Sequence, residues 1–202
     1  MEKLKSSLTN MLVVLTVIAI IAAGVLATVN AVTAPQIEKI NAENLAAGIK
    51  AVMGADDITV AEPQEIEGGY TAYAVTDAQG TALGTAVTSI SNAFGGPLKV
   101  LVGFNNEGTI LGYTILEHAE TPGLGAKAPE WFQKGQKGDI IGKVPGEKGL
   151  SVSKDGGEVD AITASTITSR AFLRAVNNAY SVYKQNCGGA QKDECTCHCA
   201  DC

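Results

Sequence analysis

Between residues 160 and 170 the chain reads Asp-Ala-Ile-Thr-Ala-Ser-Thr-Ile-Thr-Ser-Arg, and five of these eleven side chains carry a hydroxyl. Ser and Thr gather at helix starts because their oxygens accept the backbone N–H groups that have no partner inside the helix. A helical pattern follows at once, with Phe172, Val176, Ala179, Tyr180 and Tyr183 on one face. The same helix start can also hold an anion, since its exposed N–H groups and positive dipole end favour a phosphate. A hydroxyl placed there could be esterified by that phosphate. Capping and phosphate binding are compatible: Thr163 and Ser165 can cap the helix while Thr166 stands at its mouth.

A second stretch, Glu117-His-Ala-Glu-Thr-Pro-Gly-Leu-Gly-Ala-Lys127, packs two small-residue turns into one loop. Pro122-Gly123 is a type II turn signal, and Gly125 lets a backbone or a ligand come close. An ordinary tight connection uses the same residues. His118 is a candidate base or ligand, although a lone His more commonly sits at the surface or caps a turn. All five Cys lie between 187 and 202, so the body of the chain contains none. In that tail Cys195, Cys197, Cys199 and Cys202 are dense enough to bind zinc, copper or an iron–sulfur cluster, and Cys199-x-x-Cys202 is a known ligand spacing. Disulfides or incidental thiols in a mobile terminal segment are the alternative, and the odd Cys count leaves the pairing open.

The rest of the chain must position these groups. Of 202 residues 46% are hydrophobic and 18% charged, with a net charge of −6, which excludes nucleic acid as a partner because no basic patch is available. Residues 1–10 are short and polar, with Lys3 and Lys5, and 11–29 form an unbroken uncharged run. A bilayer core of about 30 Å takes about 20 such residues in a helix. The run exceeds the roughly 7–15 residues of a signal h-region, so it reads as an anchor. Its flanking charges place the N-terminus in the cytoplasm and the rest outside, and a cleaved signal peptide would put the domain on the same side.

Residues 33–54 read as a helix with Pro35 in its first turn, Gly54 at its end, and Ile37, Ile40, Leu45, Ile49 and Val52 toward a sheet. Strand patterns follow at 70–76, 85–90, 98–104 and 109–116, separated by turn signals. Such short spacings predict an antiparallel meander. Further on, 128–134 reads as a short helix begun by Pro129, while 139–143 and 150–154 read as strands. Trp131 and Phe132 could stack on a flat cofactor, with core packing as the commoner use. The fold class is α+β: one N-terminal transmembrane helix, then a domain over 30–186 with an antiparallel sheet and flanking helices, then the Cys-rich tail at 187–202.

Asp160-Ala-Ile-Thr-Ala-Ser-Thr166 resembles the flavinylation motif D-x-x-[S/T]-[G/A]-[A/S]-T of extracytoplasmic FMN-binding domains, and Glu120-Thr-Pro-Gly-Leu-Gly125 resembles a second element of that family. One departure is that the usual Gly-Ala pair is Ala164-Ser165. The resemblance implies FMN held covalently, through a phosphoester to Thr166, by a flavin transferase that uses FAD and reads Asp160. It implies that Thr163, Ala164, Ser165, Ile167 and Thr168 line the phosphate and ribityl side, while Glu120, Thr121, Gly123, Leu124 and Gly125 border the ring. It also implies an electron carrier with no independent catalytic activity, a single-pass protein of the cell (inner) membrane. Its partners would be the integral membrane and flavin-bearing subunits of the Rnf complex, a ferredoxin:NAD+ oxidoreductase that translocates Na+ or H+. NqrC-type subunits of the sodium-pumping NADH:quinone reductase, usually longer chains, rank second. A covalent link suits this location, because a site with Kd near 1 μM, or about −8.2 kcal/mol, would empty into a dilute exterior. A membrane-anchored metal-binding protein that uses the Cys tail, or a stand-alone flavin reductase, leaves more of these features unexplained.

Overall fold

Helix α1 runs without a break from Leu8 to Met53 and carries Pro35 in its interior. The computed structural model describes residues 8–55, 57–66 and 68–186, so the cysteine tail lies outside the described residues. Sequence reading expected two elements here, a span to 29 and a second helix opened by Pro35, and they form one. Pro35 removes the N–H that the Ala31 carbonyl would accept. Thr33 supplies hydroxyl contacts nearby, donating to the Val29 carbonyl at 2.8 Å and the Asn30 carbonyl at 3.5 Å, as Ser and Thr side chains do around Pro in membrane helices. Thr16 and Thr28 likewise donate to the carbonyls of Leu12 and Gly24. Large apolar side chains from Met11 to Val29 are exposed, and at about 1.5 Å per residue this run is long enough to cross a bilayer core.

The chain divides into two compact units after Asn44. The second unit holds the end of α1 and a six-stranded antiparallel sheet. Its strands are β1 (Ile58–Val60), β2 (Gln64–Ile66), β3 (Tyr70–Asp77), β4 (Ala82–Asn92), β5 (Pro97–Phe104) and β6 (Ile110–Glu117), in the order β1-β3-β4-β5-β6 with β2 also on β3. The meander expected from the turn signals is present: Asp77 Oδ1 accepts the N–H groups of Gln79 and Thr81, and Asn105 Oδ1 accepts those of Glu107 and Thr109. These are Asx turns, in which a short side chain replaces a backbone acceptor.

On one face of the sheet the last turns of α1 place Ile49 and Val52 against Val75, Ala86 and Leu101. Two glycines permit this. Gly103 and Gly112 are cross-strand partners, and a Cβ at Gly103 would lie 2.3 Å from Val52 Cγ1. Ile37 and Ile40, expected on the same packed face, are both exposed, whereas Leu45 packs against this cluster. The other face carries helix α3 (Thr166–Asn186) and the short helix α2 (Ala128–Trp131). Phe172 of α3 stacks on Phe132 at 4.2 Å between ring centroids and meets Tyr113 edge-on at 4.8 Å. Tyr113 donates its hydroxyl to the Ala128 carbonyl at 2.9 Å, and burial pushes its phenol well above the ordinary range.

Two expected strands are absent. At 139–143 both Asp139 carboxylate oxygens accept backbone N–H groups, from Gly135 and Ile141, and Gly142 takes φ 83°, so the segment turns after one pair of bonds to Ile110. At 150–154 the main chain of Leu150 is held by the Asn177 side chain of α3 rather than by a strand. Val152 then makes one isolated bridge to Val159, and Ser153–Asp155 form a 3₁₀ turn.

Candidate functional site

A cavity of about 410 Å³ lies where the loop after β6 meets the start of α3, within the roughly 300–1,000 Å³ of small-molecule sites. Phe94, Glu120, Thr121, Leu124, Gly125, Ala164, Ser165, Thr166, Ile167 and Thr168 line it. The loop folds as its residues dictate. Leu124 N–H donates to the Thr121 carbonyl at 3.2 Å and Gly123 has φ 80°, the type II turn expected of Pro-Gly. Gly125 then passes so close to the next wall that a Cβ would lie 2.2 Å from Glu120 Oε2.

Buried hydroxyls join the loop to the helix. Ser165 Oγ donates to Thr168 Oγ1 at 2.8 Å, Thr168 donates to Glu120 Oε2 at 2.6 Å, and Glu120 Oε1 accepts the Gly95 N–H at 2.8 Å. Glu120 is 7% exposed and Thr168 0%, so the chain of bonds is shielded from water, where each bond is worth more. Ser169 donates to the Ser165 carbonyl at 3.0 Å and accepts the Ile162 N–H at 2.9 Å, which fixes the turn that leads into α3. That turn requires Ala164 at φ 61°, a left-handed conformation that glycine takes without a Cβ clash. Here lies the physical meaning of the Ala that replaces the motif's usual Gly. Ala164→Gly is expected to raise stability by about 0.5–1 kcal/mol, the relieved strain less the extra freedom of an unfolded Gly, read from the denaturant midpoint.

Thr166, half-buried, is the first residue of α3, and its Oγ1 accepts from Lys154 Nζ at 3.2 Å. Arg170, one turn along, makes a two-pronged pair with Asp155 at 2.7 and 2.6 Å. The Arg170 guanidinium holds the Asp155 carboxyl below the usual carboxylate range, and Asp155 raises Arg170 in turn.

Of the residues singled out in sequence, Glu120, Thr121, Leu124, Gly125, Ala164, Ser165, Thr166, Ile167 and Thr168 meet at the cavity. Gly123 shapes the turn, Thr163 is exposed beside it, and neither is on the wall. Asp160 is exposed outside the cavity; its carboxylate accepts from Ser153 Oγ and its carbonyl accepts the Trp131 indole N–H. Trp131 is thereby tied to backbone rather than to the cavity, and Phe132 is core. His118 is exposed and accepts the Glu120 N–H at 3.4 Å. Phe94 and Lys154 were missed: one is a lone aromatic in a turn, the other a lone Lys in a segment read as a strand, six residues before the motif begins. Among the described residues no group of three or more His, Cys, Asp or Glu could hold a metal ion, and Cys195, Cys197, Cys199 and Cys202 lie outside them.

The site therefore combines a sheet, a helix whose N-terminal hydroxyls open on a cavity of small-molecule size, and, earlier in the chain, a helix long and apolar enough to cross a membrane. Residues 94–181 match the FMN-binding domain family. The chain is 35% identical over 192 residues to the RnfG protein of the Na(+)-translocating ferredoxin:NAD(+) oxidoreductase complex of Acetobacterium woodii, covering 85% of this chain and 89% of that one. It is 30% identical over 191 residues to the RnfG protein of the ion-translocating oxidoreductase complex of Vibrio atlanticus, covering 86% and 88%. The RnfG protein of Shewanella baltica is 38% identical over 119 residues, 57% of this chain, and there the alignment spans only 55% of the relative's length. Among solved structures, Shewanella oneidensis NqrC superposes with TM-score 0.46 at 24% identity, covering 63% of this chain and 66% of that one. The chain belongs to the RnfG family, whose members are subunits of ion-translocating oxidoreductase complexes.

Proposed function

We propose that this chain is an electron-transfer subunit with FMN bound covalently at Thr166, working in an Rnf-type complex that couples ferredoxin:NAD+ oxidoreduction to ion translocation. The observation that carries the reading is the half-buried Thr166 hydroxyl at the first turn of a 21-residue helix, on the wall of the cavity. The residues present suit such a cofactor. A helix N-terminus favours a phosphate, Gly125 leaves the cavity open where a Cβ would strike Glu120, and Phe94, Leu124 and Ile167 offer apolar surface at 71, 42 and 54% exposure. FMN supplies the electron chemistry when bound. The chain orients it: Thr166 fixes the phosphate end, and the Glu120–Thr168–Ser165 bonds hold the two walls together.

On this reading a flavin transferase loads Thr166 and reads Asp160, which is exposed. The long apolar helix anchors the chain as a single pass with its N-terminus in the cytoplasm, because Lys3 and Lys5 precede the run and no Lys or Arg follows before Lys39. Electrons come from and pass to other flavin-bearing or integral membrane subunits. Purification from membranes tests the proposal: the chain should come out with the other subunits, and its band should keep flavin fluorescence after denaturation. A chain purified alone, or colourless after denaturation, contradicts it.

A further inference from the structure

The 3₁₀ turn Ser153–Asp155 grips the attachment segment with three consecutive side chains. Ser153 holds Asp160 at 3.0 Å, Lys154 holds Thr166 at 3.2 Å, and Asp155 holds Arg170 through two bonds. All three turn residues are exposed, and they contribute nothing to the core. The clamp consists of two exposed hydrogen bonds and one bidentate ion pair, and only the last has the geometry that contributes to stability. The clamp's geometric result is that an ammonium sits beside the one oxygen proposed to carry a phosphate, in a chain whose net charge is −6.

We propose that Lys154 is the phosphate-recognising residue of the attachment site, and that the Asp155–Arg170 pair positions it. This rests on the assignment of Thr166 as the flavin attachment point. In the loading step the Thr166 oxygen bonds to the flavin-side phosphorus of FAD and the pyrophosphate P–O bond breaks. AMP leaves with the bonding electron pair, and the hydroxyl proton passes to the medium. Oγ1 becomes the bridging oxygen of the ester, and an ammonium 3.2 Å from it is within reach of the non-bridging oxygens. Negative charge grows on those oxygens as phosphorus is attacked, and a cation fixed in advance stabilises it without reorganisation. After loading, the same ammonium faces the singly charged phosphodiester and pins the cofactor's phosphate end at the helix mouth. Arg170 could compete for that role, yet Asp155 occupies its guanidinium with two bonds.

The test uses the full-length chain in membranes, loaded with FAD by a flavin transferase and followed by intact mass. Lys154→Met is expected to slow loading by about tenfold, in line with the loss of one charge-assisted hydrogen bond, and Lys154→Arg to restore most of it. Rising salt should slow loading of the wild type more than that of Lys154→Met, because screening acts on the charge removed. Asp155→Asn should fall between wild type and Lys154→Met. Thermal midpoints within the scatter of the wild type confirm that the variants fold. A Lys154→Met chain that loads at the wild-type rate, or a defect that Arg does not rescue, overturns the assignment of Lys154. Covalent flavin on Thr166→Ala would instead overturn the attachment point itself, so the two failures are distinguishable.

Discussion

Thr166→Ala is expected to abolish covalent flavin entirely while leaving the fold intact. The buried hydroxyls around it are already committed: Ser165 donates to Thr168, Thr168 to Glu120 and Ser169 to the Ser165 carbonyl. Moving the ester to one of them would break a buried bond and strand its partner, at a cost of about 1–3 kcal/mol, and would also require burying a phosphate. Thr166 is half-buried, and its oxygen is met by Lys154, so substitution by Ala loses only one exposed contact and the change in stability stays within about 0.5 kcal/mol. Thr166→Ser keeps an oxygen in place and should load to an intermediate extent. Flavin fluorescence of the denatured band measures both variants, and a melting curve confirms that neither is unfolded.

Phe172→Ala is expected to cost about 3–5 kcal/mol, the range for removing a large aromatic from a packed core. That is a large share of the roughly 5–15 kcal/mol that holds a domain together. Phe172 is fully buried, stacked on Phe132 with their planes 9° apart and edge-on to Tyr113. It therefore joins α3, β6 and the segment just after α2. The loss should reach the site as well, because Phe172 lies one turn beyond Thr168, whose hydroxyl ties α3 to Glu120. Chemical denaturation gives the energy, and the flavin-loaded fraction at growth temperature reports the damage to the site. A cost below about 1 kcal/mol would mean that the aromatic cluster does not hold α3 in place.

Most of the sheet was legible in sequence because its cues are local. Alternating β-branched residues and the turn formers Asp77 and Asn105 act within a few residues of themselves, and β3 to β6 fall where those cues put them. What depends on distant partners was not legible. Leu150 looked like a strand residue, but its backbone is satisfied by Asn177, 27 positions away. Pro35 looked like a helix start, but an apolar helix with Thr33 beside the gap continues through it. In the candidate site the motifs identified both walls, since a Pro-Gly turn and a hydroxyl-rich helix start each have a local physical meaning. The bond that joins the walls, Thr168 to Glu120, spans 48 positions and has no local signature. For the same reason Lys154 and Phe94 acquire significance only once the fold brings them to Thr166 and to the cavity.

On the proposed function one side chain, Thr166, carries the central chemistry. Digestion of the membrane-purified chain and mass analysis of the peptide containing Thr166 should show an addition equal to FMN less one water, with fragmentation placing it on Thr166. An unmodified Thr166 in the flavin-containing protein, or the addition on any other residue, would contradict it.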